Sequence, residues 1–182
     1  KSNRRVERYD SCVAGRVWLS KRPPSVYREA MATDISTDLN DYGFSTSLRV
    51  RLSETDAVGI VFFGSFATFF DVGRMDYLEN LGVSDFRGVI PELIPGVVIH
   101  HESRFHTPAR YADTLIVHVR IAELGNTSYT FHFLGTKKKT REVVVTGALT
   151  LCWLDDAQQP TRIPQAFRDA VVGFEADRVT QR

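Results

Sequence analysis

The chain has 182 residues, of which 43% are hydrophobic and 25% are charged, as in an ordinary globular domain. No apolar run approaches the roughly 20 residues that a membrane-spanning helix needs, so we expect no membrane partner. The two cysteines, Cys12 and Cys152, are too few for a disulfide framework. We therefore expect free thiols in a cytoplasmic protein, with Cys152 as a small core residue.

The net charge of +1 is unevenly distributed along the chain. Residues 1–30 carry eight Lys/Arg and three Asp/Glu, whereas residues 31–182 carry fifteen and nineteen. This mildly acidic remainder argues against nucleic acid as the main partner. We predict that residues 1–43 form a basic, partly irregular extension and lead-in loop, and that residues 44–182 form the domain. The alternative for the extension is a basic arm that binds nucleic acid or a membrane surface.

The spacing of apolar residues in the domain predicts a long helix and five strands. The helix runs from residue 64 or 65 to residue 81, with aromatic residues at helical spacing, and Gly82 ends it. The predicted strands cover residues 44–53, 97–107, 114–123, 127–134 and 142–154. We also expect a short helix or irregular cover over residues 83–93, a turn at 94–96, a closing helix over 164–174 and a frayed end. A strand, a helix and four antiparallel strands in succession indicate an α+β fold.

The loop between the first strand and the long helix is unusually apolar. After Glu54, its acidic residue is Asp56. A short acid in such a loop commonly accepts hydrogen bonds from backbone N–H groups, and this capping role is the simpler interpretation. The other interpretation is a reactive carboxylate held beside the anion-binding start of a helix. The chemistry of the loop alone favours the cap.

The segment from Thr55 to Phe63 follows the pattern T-D-x-x-G-[IV]-V-[FY]-[FY]. It is set between a strand that ends in R-x-R and a long helix, and in this it resembles the active-site segment of the 4-hydroxybenzoyl-CoA thioesterase family. The resemblance runs from about residue 44 to residue 154. It implies the hot-dog fold, in which a five-stranded antiparallel sheet wraps round one long central helix. It also implies at least a dimer, because pairing of two subunits would cover the exposed edge of the sheet.

The resemblance also implies roles for the loop residues. Asp56 would be the catalytic acid, which either attacks the thioester carbonyl or activates a water molecule. The backbone N–H of Phe63 would polarise the carbonyl, with the N–H of Gly64 as a neighbouring donor. Val61 and Phe62 would contact the substrate. A purely structural interpretation, in which Phe62 and Phe63 anchor the helix, is compatible with these roles.

Several other side chains are candidates for substrate binding. One of the neighbouring histidines, His101 rather than His100, is expected to line the acyl pocket. The phosphates of coenzyme A would need cations, for which the candidates are Arg110, Lys137, Lys138, Lys139 and Arg141. The turn at residues 124–127 has no charge, although some relatives place a nucleotide-binding cation there, so an acyl carrier protein remains open as the partner. We expect no metal, because none of the five histidines has a Cys or carboxylate at metal-ligand spacing.

The primary hypothesis is a thioesterase that hydrolyses an acyl-CoA or acyl carrier protein thioester, with coenzyme A as part of the substrate and no cofactor. The alternative is a non-catalytic hot-dog module that binds an acyl ligand or a partner. A hydratase or dehydratase is a third possibility, but Ile60 stands where many relatives carry a histidine. Asp71 and Arg74, at i and i+3 of the helix, are interpreted as a buried ion pair that braces the helix or a subunit interface, with a substrate role for Asp71 as the alternative.

Overall fold

The computed structural model describes residues 34–83 and 96–182. The predictions made for the basic extension up to residue 33, and for the cover and turn within residues 84–95, lie outside these residues. Among the described residues, no helix combines the length and the apolar character that crossing a bilayer requires.

The described residues contain two α-helices, α1 (Ser65–Asn80) and α2 (Gln165–Glu175). They also contain six strands: β1 (Phe44–Arg49), β2 (Val97–Phe105), β3 (Thr114–Leu124), β4 (Ser128–Lys137), β5 (Val143–Cys152) and β6 (Thr180–Gln181). Five strands form an antiparallel sheet in the order β1-β3-β4-β5-β2. The short β6 adds to β3 in parallel. The antiparallel sheet with helices agrees with the predicted α+β class.

The central strand β4 shows how side chains divide between the two faces of the sheet. Phe133 pairs with Val119 of β3 and with Gly147 of β5, and its ring stacks on Phe70 of α1 at a centroid distance of 4.5 Å. Strand side chains alternate between faces, so Phe131 lies on this inner face as well. The inner face and the buried side of α1 therefore form one apolar core.

Gly73 allows α1 to approach the sheet closely. A Cβ atom at this position would lie 2.9 Å from Val117 Cγ1 and 3.0 Å from Val119 Cγ2. Real Cβ atoms essentially never approach other atoms to within 3.0 Å, so a side chain would push the helix away from β3. The missing Cβ outweighs the weak helix propensity of glycine at this point.

The later part of α1 is tied to the C-terminal segment through a buried carboxylate. Glu175 accepts hydrogen bonds from the Tyr77 hydroxyl at 2.6 Å and from the Ile121 backbone N–H at 3.1 Å. Arg178 pairs with the same side chain at 3.2 Å. Burial, and the nearby Glu175 charge, raise the pKa of Tyr77. The neutral phenol therefore serves as a permanent hydrogen-bond donor.

The predicted ion pair on α1 forms, but its surroundings differ from the expectation. Arg74 Nε donates to Asp71 Oδ1 at 3.1 Å. The Arg74 side chain is 9% exposed and that of Asp71 is 58% exposed. Arg74 is therefore buried, as predicted, whereas its partner Asp71 reaches the solvent.

The outer face of the sheet, away from α1, carries polar residues. His132 is 4% exposed, and neither of its ring nitrogens has a hydrogen-bond partner in the described part of the chain. Burial lowers the pKa of His132 to about 4, with the nearby Arg120 charge acting in the same direction and Asp34 opposing it. The imidazole is therefore neutral at pH 7. Cys152 is a buried free thiol, as predicted.

The first strand ends earlier than predicted. It stops at Arg49, because the backbone of Val50 pairs instead with the carbonyl of Asp113 and the N–H of Ala112. A 3-10 turn at Leu52–Glu54 follows, so the predicted strand residues up to Ser53 lead into a loop. The loop that carries Asp56 therefore begins within the segment that was predicted as strand.

Candidate active site

The loop that carries Asp56 is a compact turn. The Asp56 N–H donates to the Ile60 carbonyl at 2.9 Å, and the Gly59 N–H donates to the Asp56 carbonyl at 3.0 Å. Thr55 and Val61 form an antiparallel bridge that closes the base of the turn. Gly59 has a φ of 80°, a conformation that glycine adopts without a steric penalty. The position of Asp56 is therefore defined by backbone contacts on both sides.

The two carboxylate oxygens of Asp56 have different surroundings. Oδ1 accepts hydrogen bonds from the N–H groups of Val58 at 2.8 Å and Ile60 at 3.4 Å. For Oδ2, no partner is present within residues 34–83 and 96–182. One oxygen thus performs the capping role considered for this residue, and the other remains available for chemistry. The two interpretations of Asp56 are compatible.

Two backbone N–H groups at the start of α1 have no acceptor among the residues that the structure describes. The N–H of Val61 donates to Ala109, that of Phe62 donates to Glu54, and that of Ser65 returns to the Phe62 carbonyl. For the intervening N–H groups, at residues 63 and 64, the described ranges provide no acceptor. The first N–H groups of a helix are commonly unpaired and carry its positive dipole end. They can stabilise an oxyanion.

Asp56 and Phe63 line one cavity of about 500 Å³. The cavity lies between the Asp56 loop, the start of α1, the segment after β2 and the start of β5. Most of its lining is apolar: Ile60, Val61, Phe63, Phe66, Phe105, Pro108, Ala109 and Val144, with Asp56, His106 and Thr107 as the polar members. Such a cavity suits an apolar group with a polar reacting end.

Of the other predicted site residues, Val61 lies in the cavity lining, whereas Gly64 and Phe62 do not belong to it. Phe62 is 45% exposed and packs against the Phe63 ring at 4.5 Å. His101 is also absent from this lining and instead contacts Ser103 Oγ at 3.1 Å. Burial lowers the pKa of His101.

The predicted phosphate-binding cations belong to separate elements and are absent from the cavity lining. Arg110 Nη1 donates to the Gly59 carbonyl at 3.4 Å, and so contacts the Asp56 loop. Lys137 pairs with Glu142 at 3.1 Å. Lys138 is exposed in the turn between β4 and β5.

Sequence reasoning did not identify the contribution of the segment after β2. His106 and Ala109 line the cavity beside Phe105, the last residue of β2, and the Ala109 carbonyl accepts the Val61 N–H at 2.9 Å. This contact joins residues that are far apart in sequence. The available signal was limited to Pro108, which indicates that the strand has ended but not where the chain then lies.

The Asp56 loop is also fastened directly to α1. The Glu54 carbonyl accepts the Phe62 N–H at 2.9 Å and the Ser65 hydroxyl at 3.1 Å. We call these two hydrogen bonds the Glu54 clasp. The clasp connects a residue just before Asp56 with the first residue of α1, and thereby sets the separation between the carboxylate and the unpaired N–H groups.

Comparison with known proteins gives consistent results. The chain is 27% identical over 128 residues to the acyl-acyl carrier protein thioesterase ATL3, chloroplastic, of Arabidopsis thaliana, with 70% of this chain covered. The match spans 66% of that relative, just under two thirds of its length. The crystal structure of the PA5185 protein of Pseudomonas aeruginosa is similar with a TM-score of 0.65 and 25% identity, covering 74% of this chain and 93% of that one. A gentisyl-coenzyme A thioesterase structure gives a TM-score of 0.62 and 25% identity, with coverages of 71% and 99%.

Residues 58–144 match the family described as Thioesterase superfamily (4HBT). The matched range begins in the Asp56 loop, contains α1 and ends at the start of β5. Asp56 itself lies two residues before it. Together with the thioesterase structures that the fold resembles, this match confirms the resemblance to the thioesterase family that the sequence shows.

Proposed function

We propose that the protein hydrolyses an acyl thioester, carried on coenzyme A or on an acyl carrier protein, in the cavity beside Asp56. The proposal is based on the arrangement of Asp56 and Phe63 around this cavity. A free carboxylate oxygen of Asp56 and the unpaired N–H of Phe63 belong to residues that line the same largely apolar cavity. These are a reactive group and an oxyanion donor beside a space for an acyl group.

In the proposed reaction the acyl group occupies the apolar part of the cavity. The thioester oxygen accepts hydrogen bonds from the N–H groups of Phe63 and Gly64. Negative charge grows on this oxygen as the carbonyl carbon becomes tetrahedral, so these donors act most strongly in the transition state. The dipole of α1 adds to the effect, because its positive end faces the same oxygen.

Asp56 can act by either of two routes. In one, Oδ2 attacks the carbonyl carbon, the C–S bond breaks, and water then hydrolyses the mixed anhydride. In the other, Oδ2 removes a proton from a water molecule, which attacks the carbon, and the proton finally reaches the departing sulfur. Both routes convert the thioester and one water molecule into a carboxylic acid and a thiol. Rapid-quench mass spectrometry distinguishes them, because only the first leaves the acyl group on the protein.

The test is Asp56→Asn, followed by thiol release from a panel of acyl-CoA thioesters graded by chain length and ring content. The amide oxygen of asparagine can still accept the N–H groups of Val58 and Ile60, so the loop should keep its shape. We expect kcat to fall by about 10²–10⁴-fold, the usual contribution of a catalytic acid or base. Full activity in the variant would remove Asp56 from the mechanism.

Asp113 offers a matched control. It also caps a backbone N–H, that of Arg110 at 2.9 Å, in the loop before β3. Asp113→Asn makes the same chemical change in a carboxylate outside the cavity lining. We expect it to retain activity. Ligand-dependent stabilisation without turnover of any thioester would instead support the non-catalytic binding module.

We further propose that the protein forms a homodimer or a higher homo-oligomer through β2. Among the described strands β2 pairs only with β5, so its other edge is open. Val97, Val98 and Ile99 on this strand are 45%, 52% and 60% exposed. An open edge that carries apolar side chains is suited to pairing with a second copy. Sedimentation analysis tests this, and Ile99→Lys is expected to shift the assembly towards the monomer.

A further inference from the structure

Exposed cations from separate elements meet at one end of the sheet. Arg49, at the end of β1, pairs with Thr114 at the start of β3. The Thr114 carbonyl accepts the Lys138 N–H at 2.9 Å. Lys138 belongs to the turn between β4 and β5, together with Lys139 and Arg141. The ends of four strands therefore bring these side chains into one region.

The candidate active site lies at the same end. The Val50 N–H donates to the Asp113 carbonyl at 2.8 Å, and the Val61 N–H donates to Ala109 at 2.9 Å. The Asp56 loop and the segment before β3 are thus held together where β1 ends and β3 begins. We define the site end as residues 49–61, 106–114 and 137–143.

The charge of the site end is opposite to that of the rest of the described chain. The site end contains seven Lys/Arg and four Asp/Glu, whereas the remaining described residues contain seven and thirteen. Its acids are already engaged, since Glu54 pairs with Arg51 at 3.2 Å and Glu142 with Lys137 at 3.1 Å, while Asp56 and Asp113 accept backbone N–H groups. Its other exposed cations have no ion-pair partner in the described ranges: Arg49, Arg110, Lys138, Lys139 and Arg141.

Exposed apolar side chains belong to the same region. Leu52, Val58 and Tyr111 are 70%, 77% and 57% exposed. Apolar and aromatic residues with a cationic surround are typical of a surface that binds another protein. A nucleotide would need several donors that converge on its phosphates. Here the cations extend from separate, exposed elements, which fits a broad anionic partner better.

We infer that the site end docks an acidic carrier protein, which delivers the acyl group to the cavity on a flexible thiol arm. This inference rests on the proposed thioesterase function and names the partner of the same site. The cations attract and orient the carrier surface, the exposed apolar residues are covered by it, and the arm extends to the cavity. Such electrostatic recognition depends on salt, because exposed charges are screened.

The experiment compares one acyl group on three thiols: an acidic acyl carrier protein, coenzyme A and N-acetylcysteamine, which is uncharged. The double variant Lys139→Glu/Arg141→Glu reverses two of the unpaired charges. We expect the ratio of kcat/KM for the carrier thioester to that for the N-acetylcysteamine thioester to fall by about tenfold or more, mainly through KM. Raising the salt concentration from about 50 to about 300 mM should lower this ratio for the native protein and have less effect on the variant.

Arg162→Glu is the matched control, because Arg162 is exposed but lies near the opposite end of the sheet, next to the Ile163 N–H that donates to Asn126. It should leave the ratio unchanged. The inference is overturned if the double variant lowers the ratios for coenzyme A and carrier protein equally, or if it alters neither. Failure to hydrolyse any of the three thioesters refutes the proposed function itself, whereas hydrolysis of N-acetylcysteamine thioester without carrier preference refutes only the docking inference.

Discussion

The Glu54 clasp predicts that Ser65 controls the rate of the reaction without contacting the substrate. Ser65→Ala removes the hydroxyl that donates to the Glu54 carbonyl at 3.1 Å. The carbonyl keeps its other hydrogen bond, from Phe62 at 2.9 Å. The start of α1 should therefore stay folded but become free to shift relative to Asp56.

The expected effects on stability and on rate differ in size. A hydrogen bond between neutral groups contributes about 0.5–1.5 kcal/mol, and the retained Phe62 bond places this loss near the lower value. For a chain of this length the melting temperature should fall by only a few degrees. A displacement of about 1 Å between reacting groups can reduce the rate about 10²-fold. We expect kcat to fall by about 10- to 100-fold, with KM changed less than about twofold.

The assay is steady-state thiol release combined with thermal unfolding. Ser65→Thr keeps a hydroxyl and should recover most of the lost kcat. Tyr42→Phe is the control, because it removes a hydroxyl that donates to the Ser36 carbonyl at 2.7 Å, outside the site end. It should lower the melting temperature by a similar amount and leave kcat unchanged. A Ser65→Ala variant with native kcat and a lowered melting temperature would mean that the clasp only stabilises the fold.

Three further predictions concern stability. Tyr77→Phe should lower the free energy of unfolding by about 1.5–3 kcal/mol, measured in urea, because the lost hydrogen bond goes to the buried Glu175 carboxylate. A decrease no larger than that of Tyr42→Phe would contradict this. Gly73→Ala should destabilise the protein by about 1–3 kcal/mol, since the added methyl group meets valine side chains of β3 at about 3 Å, and a gain in stability, as helix propensity alone predicts, would disprove the close contact. The pKa of His132 is lowered to about 4, so the unfolded chain binds its proton first as the pH falls. Stability should therefore decline between about pH 6.5 and pH 4, and His132→Gln should flatten this dependence in urea titrations. An unchanged pH dependence in the variant would contradict the assignment to His132.

Local patterns predicted much of the element order. Phe66, Phe69 and Phe70 recur at helical spacing, and α1 occupies Ser65–Asn80. Strand alternation located β2 to β5 to within a few residues. Such patterns are informative because a helix or strand must bury one side, and this requirement acts over only a few residues.

Strand ends were predicted less well, because hydrogen bonds from distant residues decide them. β4 extends to Lys137, beyond the predicted residue 134, since Gly135 and Thr136 pair with the start of β5. The predicted frayed end contains β6, which pairs with Glu123 and Leu124 of β3. Two residues of strand have no distinctive local pattern, so this pairing was not visible in the sequence.

The candidate site divides in the same way. The sequence by itself determined that Asp56 stands in a short apolar loop just before a helix, because both features are local. Only the tertiary structure decided that one oxygen of Asp56 has no partner among the described residues, that the segment after β2 completes the cavity, and that cations from several strands lie beside it. These properties depend on contacts such as that between Val61 and Ala109, whose partners are separated by 48 residues and meet only when the sheet has formed.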